Sequence, residues 1–229
     1  LPYLNDYVYF RMDTPFWEGF DTRVHTIVYD DIAKESVNLI SKDSQLNEAI
    51  HLLNTQPFPA NMAFEKKGKV FANPRLVIAT SNNKGMNAEY HVDDPNALLR
   101  RWNHIVCVNV HEEFRPTNKL NMPMSNTLDR DKVAAWKLAH PGETPELQYF
   151  VIERYVQSQG AKDPGDRLYE FVCKCDTLAE FEKALIPIFA AHEADNKVVA
   201  DRMKEIKNNN FCSHYIHTHL CDICKNKMD

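Results

Sequence analysis

The chain has 229 residues, of which 44% are hydrophobic and 26% are charged. This length suits one large domain, or one domain with a small appendage, and the composition supports a packed core rather than a disordered chain. The formal net charge of −5 excludes bulk cationic attraction as the main force for binding nucleic acid, so any such site must be local.

The first 110 residues are predicted to alternate between strands and helices. Apolar and β-branched runs predict strands, and an apolar helical spacing with Ser44 as a possible N-cap predicts the first helix. Residues 58–71 contain Gly68 between aromatic residues and are typical of a hairpin-like excursion. The alternation predicts a three-layer α/β domain with a mainly parallel sheet. The predicted strands are 7–11, 25–29, 76–80 and 105–110, and the helices are 44–54 and a short one after Asp94-Pro95.

The rest of the chain predicts a mixed α/β region. Residues 115–125 are typical of a linker, and a helix at 130–139 and strands at 147–156 and 168–173 follow. Thr177 to Glu180 resembles a capping box that opens a helix, Pro187 should kink or divide that helix, and residues 191–207 should be mostly helical. We expect three parts, residues 1–112, 113–207 and 208–229.

Two carboxylates follow the second predicted strand, in the order His25-Thr-Ile-Val-Tyr-Asp30-Asp31. A buried strand that ends in this way places them at the carboxyl edge of the sheet, where open α/β sheets bind ligands. Phosphoryl transfer needs an acid to hold Mg²⁺ and another polar group to orient the attacking water. Asp30 suits the first role and Asp31 the second. A strand end followed by a solvated turn is the alternative.

A second apolar strand, Leu76 to Thr80, also ends in polar residues. An asparagine there, Asn82, could hydrogen-bond both a γ-phosphate oxygen and a water, because its amide carries a donor and an acceptor. These residue types also favour ordinary turns, and on this segment alone the turn is the better interpretation.

The hairpin-like segment reverses the charge of the chain. Between residues 60 and 75 there are four cations, Lys66, Lys67, Lys69 and Arg75, against a single acid. Lysines on a loop can follow phosphates without reading sequence, although a solvated turn is the alternative. Phe64 and Phe71 could stack on bases or pack on the sheet, and we expect packing.

The C-terminal tail is dense in soft metal ligands. It reads Cys212-x-His214-x₂-His217-x-His219-x-Cys221-x₂-Cys224, and two cysteines separated by two residues have the spacing of a zinc knuckle. We favour a structural zinc held by Cys212, Cys221, Cys224 and one of the histidines, of which His217 is our choice, with free thiols and exposed histidines as the alternative. Cys173 and Cys175 alternate within a strand pattern and are expected to be partly buried structure.

Several motifs in the same order resemble the superfamily 3 RNA helicases of picornavirus-like viruses. The resemblance covers residues 5–112 well, is weak over 113–205, and returns loosely at the cysteine cluster, whose spacing departs from the enterovirus-like pattern. The matching motifs are Phe20-Asp21, the Walker B equivalent Asp30-Asp31, Met62-Ala63-Phe64-Glu65-Lys66-Lys67-Gly68, the motif C equivalent Ile78-Ala79-Thr80-Ser81-Asn82, and Arg100-Arg101-Trp102.

The resemblance implies an ATP site. Residues 1–112 would be part of an AAA+-type ATPase core, in which Asp30 and Asp31 bind the magnesium of ATP and help to activate water, and Asn82 senses the γ-phosphate. Thr80 would also belong to the nucleotide-binding residues. Arg100 and Arg101 would be an arginine finger that enters the ATP site of a neighbouring subunit, which requires a closed ring, expected to be a hexamer. Without the family, a solvated helix end is the better interpretation of these two arginines.

The resemblance also implies partners. The basic hairpin would line a central pore and grip single-stranded RNA, and other viral replication proteins would join it at membrane-associated replication complexes in the host cytoplasm. The sequence contains no Gly-x₄-Gly-Lys-[Ser/Thr] phosphate loop. The chain begins at Leu1, which fits a fragment or a polyprotein product, and the phosphate loop and a membrane-binding segment are expected upstream.

Three functions remain open at this stage. The first is a viral RNA helicase or translocase driven by ATP in its full-length form. The second is an RNA-binding or replication-scaffold module without ATPase activity, which would bind RNA without nucleotide and remain monomeric. The third is a cellular AAA-type remodelling ATPase, in which residues 62–69 would contact peptide. The order of the basic hairpin and the Thr-Ser-Asn motif favours the first over the third.

Overall fold

The structure is a computed structural model that describes residues 7–34, 44–54, 58–91, 95–120, 122–156 and 169–210. The strands are β1 (Val8–Arg11), β2 (Thr26–Tyr29), β3 (Phe58–Pro59), β4 (Phe71–Ala72), β5 (Leu76–Ala79), β6 (His104–Val110), β7 (Gln148–Tyr155) and β8 (Tyr169–Cys175). The helices are α1 (Ser44–Leu52), α2 (Ala88–His91), α3 (Pro95–Leu99), α4 (Arg130–Ala139) and α5 (Leu178–Asn210).

The first sheet is parallel and has the order β1-β2-β5. Its middle strand is mostly buried, with Ile27 and Tyr29 fully enclosed, because it lies between two other strands and three of its four residues are apolar or aromatic. Tyr29 of β2 pairs with Ala79 of β5, so the two strands end at the same level. The predicted α/β class with a mainly parallel sheet is confirmed, and the residues after these strands necessarily meet at one edge.

Helix α1 packs on the core through one face. Leu46, Ala49 and Leu52 are buried at helical spacing, and they join a cluster that includes the fully buried Trp17 of the segment between β1 and β2. Burying a large apolar side chain stabilises a fold by about 1.5–3 kcal/mol. This cluster therefore fixes the parallel sheet from which the polar strand ends project.

Strands β3 and β4 form the predicted hairpin, and they pair antiparallel. Ala60, Met62 and Ala72 are buried at its base, whereas residues 63–69 are exposed and include a short 3₁₀ helix, Phe64–Lys66. Gly68 has a φ of +73°, a conformation that glycine adopts without a steric penalty. The expected packing of Phe64 on the sheet is wrong, because its side chain is 96% exposed; the hairpin lifts it away from any core surface.

By internal contacts the chain divides into two units. The first comprises Leu1–Cys107 and Ile152–Val172, and the second comprises Val108–Val151 and Cys173–Asp229. A second three-stranded sheet has the order β6-β7-β8. The domain boundaries predicted at 112 and 207 stay predictions.

The second unit has its own packing. Phe114 is buried and meets Trp136 of α4 edge-on, and Phe150 of β7 stacks on Phe181 of α5 with 4.5 Å between ring centroids. Helix α4 begins after Asp129, whose side chain accepts hydrogen bonds from two backbone N–H groups of the first turn, as an N-cap does.

Helix α5 begins where the capping signal predicted. The Glu180 backbone N–H donates to the Thr177 hydroxyl at 3.1 Å, and the Glu180 carboxylate accepts from the Asp176 N–H at 2.8 Å. Pro187 was predicted to kink or divide the helix; it does not divide it, because α5 continues through it. Pro187 and Lys183 are both exposed, so water can satisfy the Lys183 carbonyl that loses its helical partner.

The expectation for Cys173 and Cys175 is confirmed: the first is half-buried and the second is buried. Among the residues that the structure describes, no helix combines the length and the apolar character needed to cross a membrane.

Candidate functional site

The acidic pair follows β2 directly. Asp30 is exposed and Asp31 is half-buried. Asp31 has a φ of 54°, in the left-handed region that aspartate tolerates better than most residues. Because of this conformation the chain turns sharply as it leaves the sheet, and both carboxylates stay at the sheet edge.

Thr80, the first residue after β5, joins the two strand ends. Its hydroxyl accepts a hydrogen bond from the Asp31 backbone N–H at 2.7 Å and donates one to Asp30 Oδ1 at 2.8 Å. The Ile32 N–H donates to the Thr80 carbonyl at 2.8 Å, and the Thr80 N–H donates to the Tyr29 carbonyl at 3.0 Å. Four hydrogen bonds thus hold the turn after β2 against the end of β5.

Asn82 completes the cluster. Its Nδ2 donates to Asp31 Oδ1 at 3.0 Å. Within the described ranges no other group bonds its side chain, so the amide oxygen and the second N–H are available there for other groups. The structure therefore brings together Asp30, Asp31, Thr80 and Asn82, which follow the ends of two strands and lie about 50 residues apart in sequence. These four residues are called the strand-end cluster below.

The loop after the cluster is held at several points. The Gly85 N–H donates to Asn83 Oδ1 at 2.9 Å, and the Asn83 N–H donates to the Ser81 hydroxyl at 3.2 Å. Met86 is buried and, with Asn87, has a positive φ of 51°. Lys84 forms an ion pair with Glu153 of β7.

The two predicted finger arginines differ in their surroundings. Arg101 is half-buried, and its guanidinium donates to Asn54 Oδ1 at 3.0 Å and to the Ala97 carbonyl. Arg100 is exposed, and its guanidinium contacts no partner among the residues that the structure describes. Only Arg100 is thus placed to reach another molecule without first giving up an internal bond.

The three predicted RNA-binding lysines, Lys66, Lys67 and Lys69, are exposed on the hairpin. The pKa of the Asp21 carboxyl is lowered, mainly by hydrogen bonds from Arg23 and to a smaller extent by the positive charge of Lys66 on the hairpin. The lysines sit beside the fully exposed Phe64, so the surface combines positive charge with an aromatic ring.

The predicted zinc ligands Cys212, His217, Cys221 and Cys224 lie outside the described residues. Within the described ranges, no group of three or more His, Cys, Asp or Glu side chains is arranged to hold a metal ion. The zinc site therefore stays a prediction.

Sequence reasoning missed two sets of residues. The first is a buried polar network in which Glu48 of α1 binds Arg11, Trp17 and Tyr29. The second is the pairing of Lys84 with Glu153. The sequence signal for the Glu48 network was Arg11, an arginine at the end of an otherwise apolar strand. The signal for the second pair was weak: Lys84 directly follows Ser-Asn-Asn, but nothing in the sequence indicates Glu153 as its partner.

Two comparisons with known proteins found similarity over part of the chain. Residues 3–83 match a family model described as RNA helicase. The RNA1 polyprotein of broad bean wilt virus 1 is 31% identical over 100 residues, which cover 44% of this chain and 5% of the polyprotein. The chain thus spans only a small part of the length of that relative. The family-model match includes both strand ends of the cluster and the whole hairpin. The two comparisons confirm the resemblance drawn from the motifs: residues 3–83 are similar to an RNA helicase family, and part of the chain is similar to a viral polyprotein.

Proposed function

We propose that the strand-end cluster is the metal- and water-orienting part of an ATP site, and that this site drives an RNA helicase in viral RNA replication. The observation that carries the proposal is the bonding of Asn82 to Asp31 and of Thr80 to Asp30, at 3.0 and 2.8 Å. An acid and a neutral amide at the carboxyl ends of adjacent parallel strands are the groups that phosphoryl transfer needs. The helicase match over residues 3–83 supports the same function.

The residues present fit a magnesium ion. All four members of the cluster offer oxygen atoms, which are the ligands that Mg²⁺ prefers, and Mg²⁺ usually binds one or two protein carboxylates together with phosphates and waters. Asp30 accepts the Thr80 hydroxyl at one oxygen, and within the described residues its other oxygen accepts no bond. Asp30 would hold the ion, which when bound neutralises charge on the phosphate oxygens.

The other members of the cluster have separate tasks. The Asp31 carboxylate is an acceptor that can orient a water, and Asn82 fixes the position of that carboxylate through Nδ2. The amide oxygen and the remaining N–H of Asn82 can meet a water and a γ-phosphate oxygen at the same time. Thr80 bonds both aspartates through one hydroxyl, so it sets their spacing within the proposed nucleotide site.

ATP hydrolysis is proposed for a longer protein that supplies a phosphate-binding loop, because the present sequence has none. The backbone cradle and lysine of that loop hold the β- and γ-phosphates. The isolated chain should bind ATP weakly and hydrolyse it negligibly. In the longer protein, Arg100 of one subunit would reach the nucleotide of the next in a ring, for which a hexamer is proposed.

We place single-stranded RNA on the basic hairpin. Exposed lysines can follow the phosphates, and the ring of Phe64 can stack on a base. Other viral replication proteins, a location at membrane-associated replication complexes in the host cytoplasm, and a structural zinc in the tail belong to the same proposal.

The test is steady-state ATP hydrolysis by the longer protein, with and without single-stranded RNA. We expect Asp30→Asn to lower kcat by about 10²-fold or more, as removal of a preorganised charged group does. Asp131→Asn, an exposed carboxylate in the first turn of α4, should keep the wild-type rate. Unchanged turnover in Asp30→Asn would overturn the ATPase. RNA binding that persists in a protein without ATP turnover would favour the binding-module alternative.

A further inference from the structure

Lys84 connects the loop that carries Asn82 to strand β7. Its ammonium pairs with the Glu153 carboxylate and lies 5.0 Å from the centroid of the Tyr169 ring. The Glu153 side chain is only 20% exposed, so water screens this pair less than it screens a fully exposed one. The contact therefore fixes the far end of the Asn82 loop.

Only Asn83 lies between Asn82 and Lys84, and its hydrogen bonds hold this backbone in place, so a movement of Lys84 cannot be taken up within the segment. Asn83 accepts from the Gly85 N–H with its side chain and from the Met86 N–H with its carbonyl, at 2.9 and 3.0 Å. Met86 is buried. A displacement of Lys84 would consequently displace Asn82 as well.

Two residues further along β7, Tyr155 holds a different element. Its hydroxyl donates to Asn96 Oδ1 of α3 at 3.1 Å, and its backbone N–H donates to the Asn103 carbonyl at 3.0 Å. Alternate residues of a strand face the same side of a sheet, so Glu153 and Tyr155 lie on one face.

Helix α3 leads directly into Arg100. Leu98 and Leu99 in its last turn and Trp102 just beyond it are buried, which anchors the helix on both sides of Arg100. A short stretch of β7 thus contacts both the loop of the proposed phosphate sensor and the helix of the proposed arginine finger. All of these residues belong to the first unit.

We propose that Glu153 and Tyr155 are positioning residues that fix the Asn82 loop and α3 relative to each other. The inference rests on the proposed ATPase function. In a ring, Asn82 would face the nucleotide of its own subunit, and Arg100 would face the nucleotide of the neighbouring subunit. This part of β7 would therefore couple the presence of the γ-phosphate at one ATP site to the position of Arg100 at the next site.

The intervening residue provides a control. Arg154 lies between the two and points away from them, pairing with Glu170 at 2.7 Å where both side chains are more than half exposed. Exposed ion pairs of this kind contribute little to stability. Arg154→Gln should therefore leave the activity unchanged although it alters the same strand.

The experiment measures kcat and KM for ATP in the longer, assembled protein. Lys84→Met and Glu153→Gln should each lower kcat by about tenfold or more with little change in KM, because a small misplacement of a catalytic group acts on the transition state. The exchanged pair, Lys84→Glu with Glu153→Lys, should recover most of the lost kcat. A merely structural role would instead lower the melting temperature of the single variants and leave kcat of the folded protein at the wild-type value.

Tyr155→Phe removes one hydroxyl and keeps the ring, so it tests the second contact even where a Glu153 variant fails to fold. It should lower kcat several-fold at an unchanged melting temperature. Wild-type kcat in Lys84→Met, Glu153→Gln and Tyr155→Phe, alongside inactive Asp30→Asn, would overturn this inference and leave the proposed function standing. Full activity in Asp30→Asn would instead remove the proposed function.

Discussion

Arg11 and Glu48 form a two-pronged ion pair inside the first unit. Arg11 Nε lies 2.7 Å from Glu48 Oε1, and the terminal Nη2 lies 3.0 Å from Oε2. The side chains are only 5% and 14% exposed. Trp17 and Tyr29 donate to the same carboxylate at 2.9 and 3.1 Å. The ion pair, together with the hydrogen bond from Tyr29, therefore connects β1, α1 and β2. Tyr29 directly precedes Asp30 of the strand-end cluster.

Removing the charge of Glu48 should be costly. In Glu48→Gln the buried guanidinium of Arg11 loses its counter-ion, and breaking a buried pair in this way costs about 3–5 kcal/mol. We expect the free energy of unfolding, measured by urea denaturation, to fall by that amount.

The exposed pair of Arg154 and Glu170 has the same N–O distance of 2.7 Å and provides the matched control. Glu170→Gln should change the free energy of unfolding by less than about 1 kcal/mol. Equal effects of the two substitutions would show that burial does not decide the strength of the pair at Glu48.

The aromatic ring at the hairpin tip should matter for RNA and not for folding. Phe64 is 96% exposed, so Phe64→Ala removes no core contact and should leave the melting temperature unchanged. If the ring stacks on a base, the substitution should weaken binding of a uridine-rich single strand by about 1–3 kcal/mol. Fluorescence anisotropy of a labelled strand measures this loss.

The salt dependence of RNA binding distinguishes the contribution of the Phe64 ring from that of the hairpin lysines. Lys67→Gln should reduce the slope of log K against log salt by about 0.7, the value for one phosphate contact on a single strand, while Phe64→Ala keeps the slope. Phe10→Ala, which alters a ring that is 64% exposed on β1, should leave RNA affinity unchanged. A Phe64→Ala protein with wild-type affinity would remove the stacking contact.

Alkaline pH should weaken the first unit through Tyr169. Burial, with smaller effects of Tyr155, Glu153 and Cys107, raises the pKa of its phenol from 10.0 to about 12. The unfolded chain therefore loses this proton at lower pH than the folded chain does, and stability that is complete below pH 10.0 is lost as pH rises towards about 12. In Tyr169→Phe the decline over this interval should be shallower.

Urea denaturation at several pH values measures both slopes. A Tyr169→Phe protein with the wild-type slope would contradict the raised pKa.

The strand-end cluster was predictable only in part from local rules, because on the segment of Asn82 alone an ordinary turn was the better interpretation and the family resemblance was needed to include it. A buried strand followed by Asp30-Asp31, and another followed by Thr80-Ser81-Asn82, both end at the carboxyl edge once the sheet is parallel. No such rule pairs Lys84 with Glu153, because an ion pair between distant segments depends on the tertiary fold and leaves no periodic signal. The position of Phe64 was misjudged because hydrophobicity predicts burial only on average.

The first unit has a consequence for synthesis on the ribosome. Its residues come from two stretches of the chain, Leu1–Cys107 and Ile152–Val172, and the second stretch supplies Glu153 and Tyr155. A chain emerging N-terminus first must therefore extend through residues that belong to the other unit before Lys84 and Asn96 can find their partners. The first unit can therefore complete its folding only after Val172 has been translated. Nascent chains released earlier would contain the four residues of the strand-end cluster without the complete second stretch of the unit.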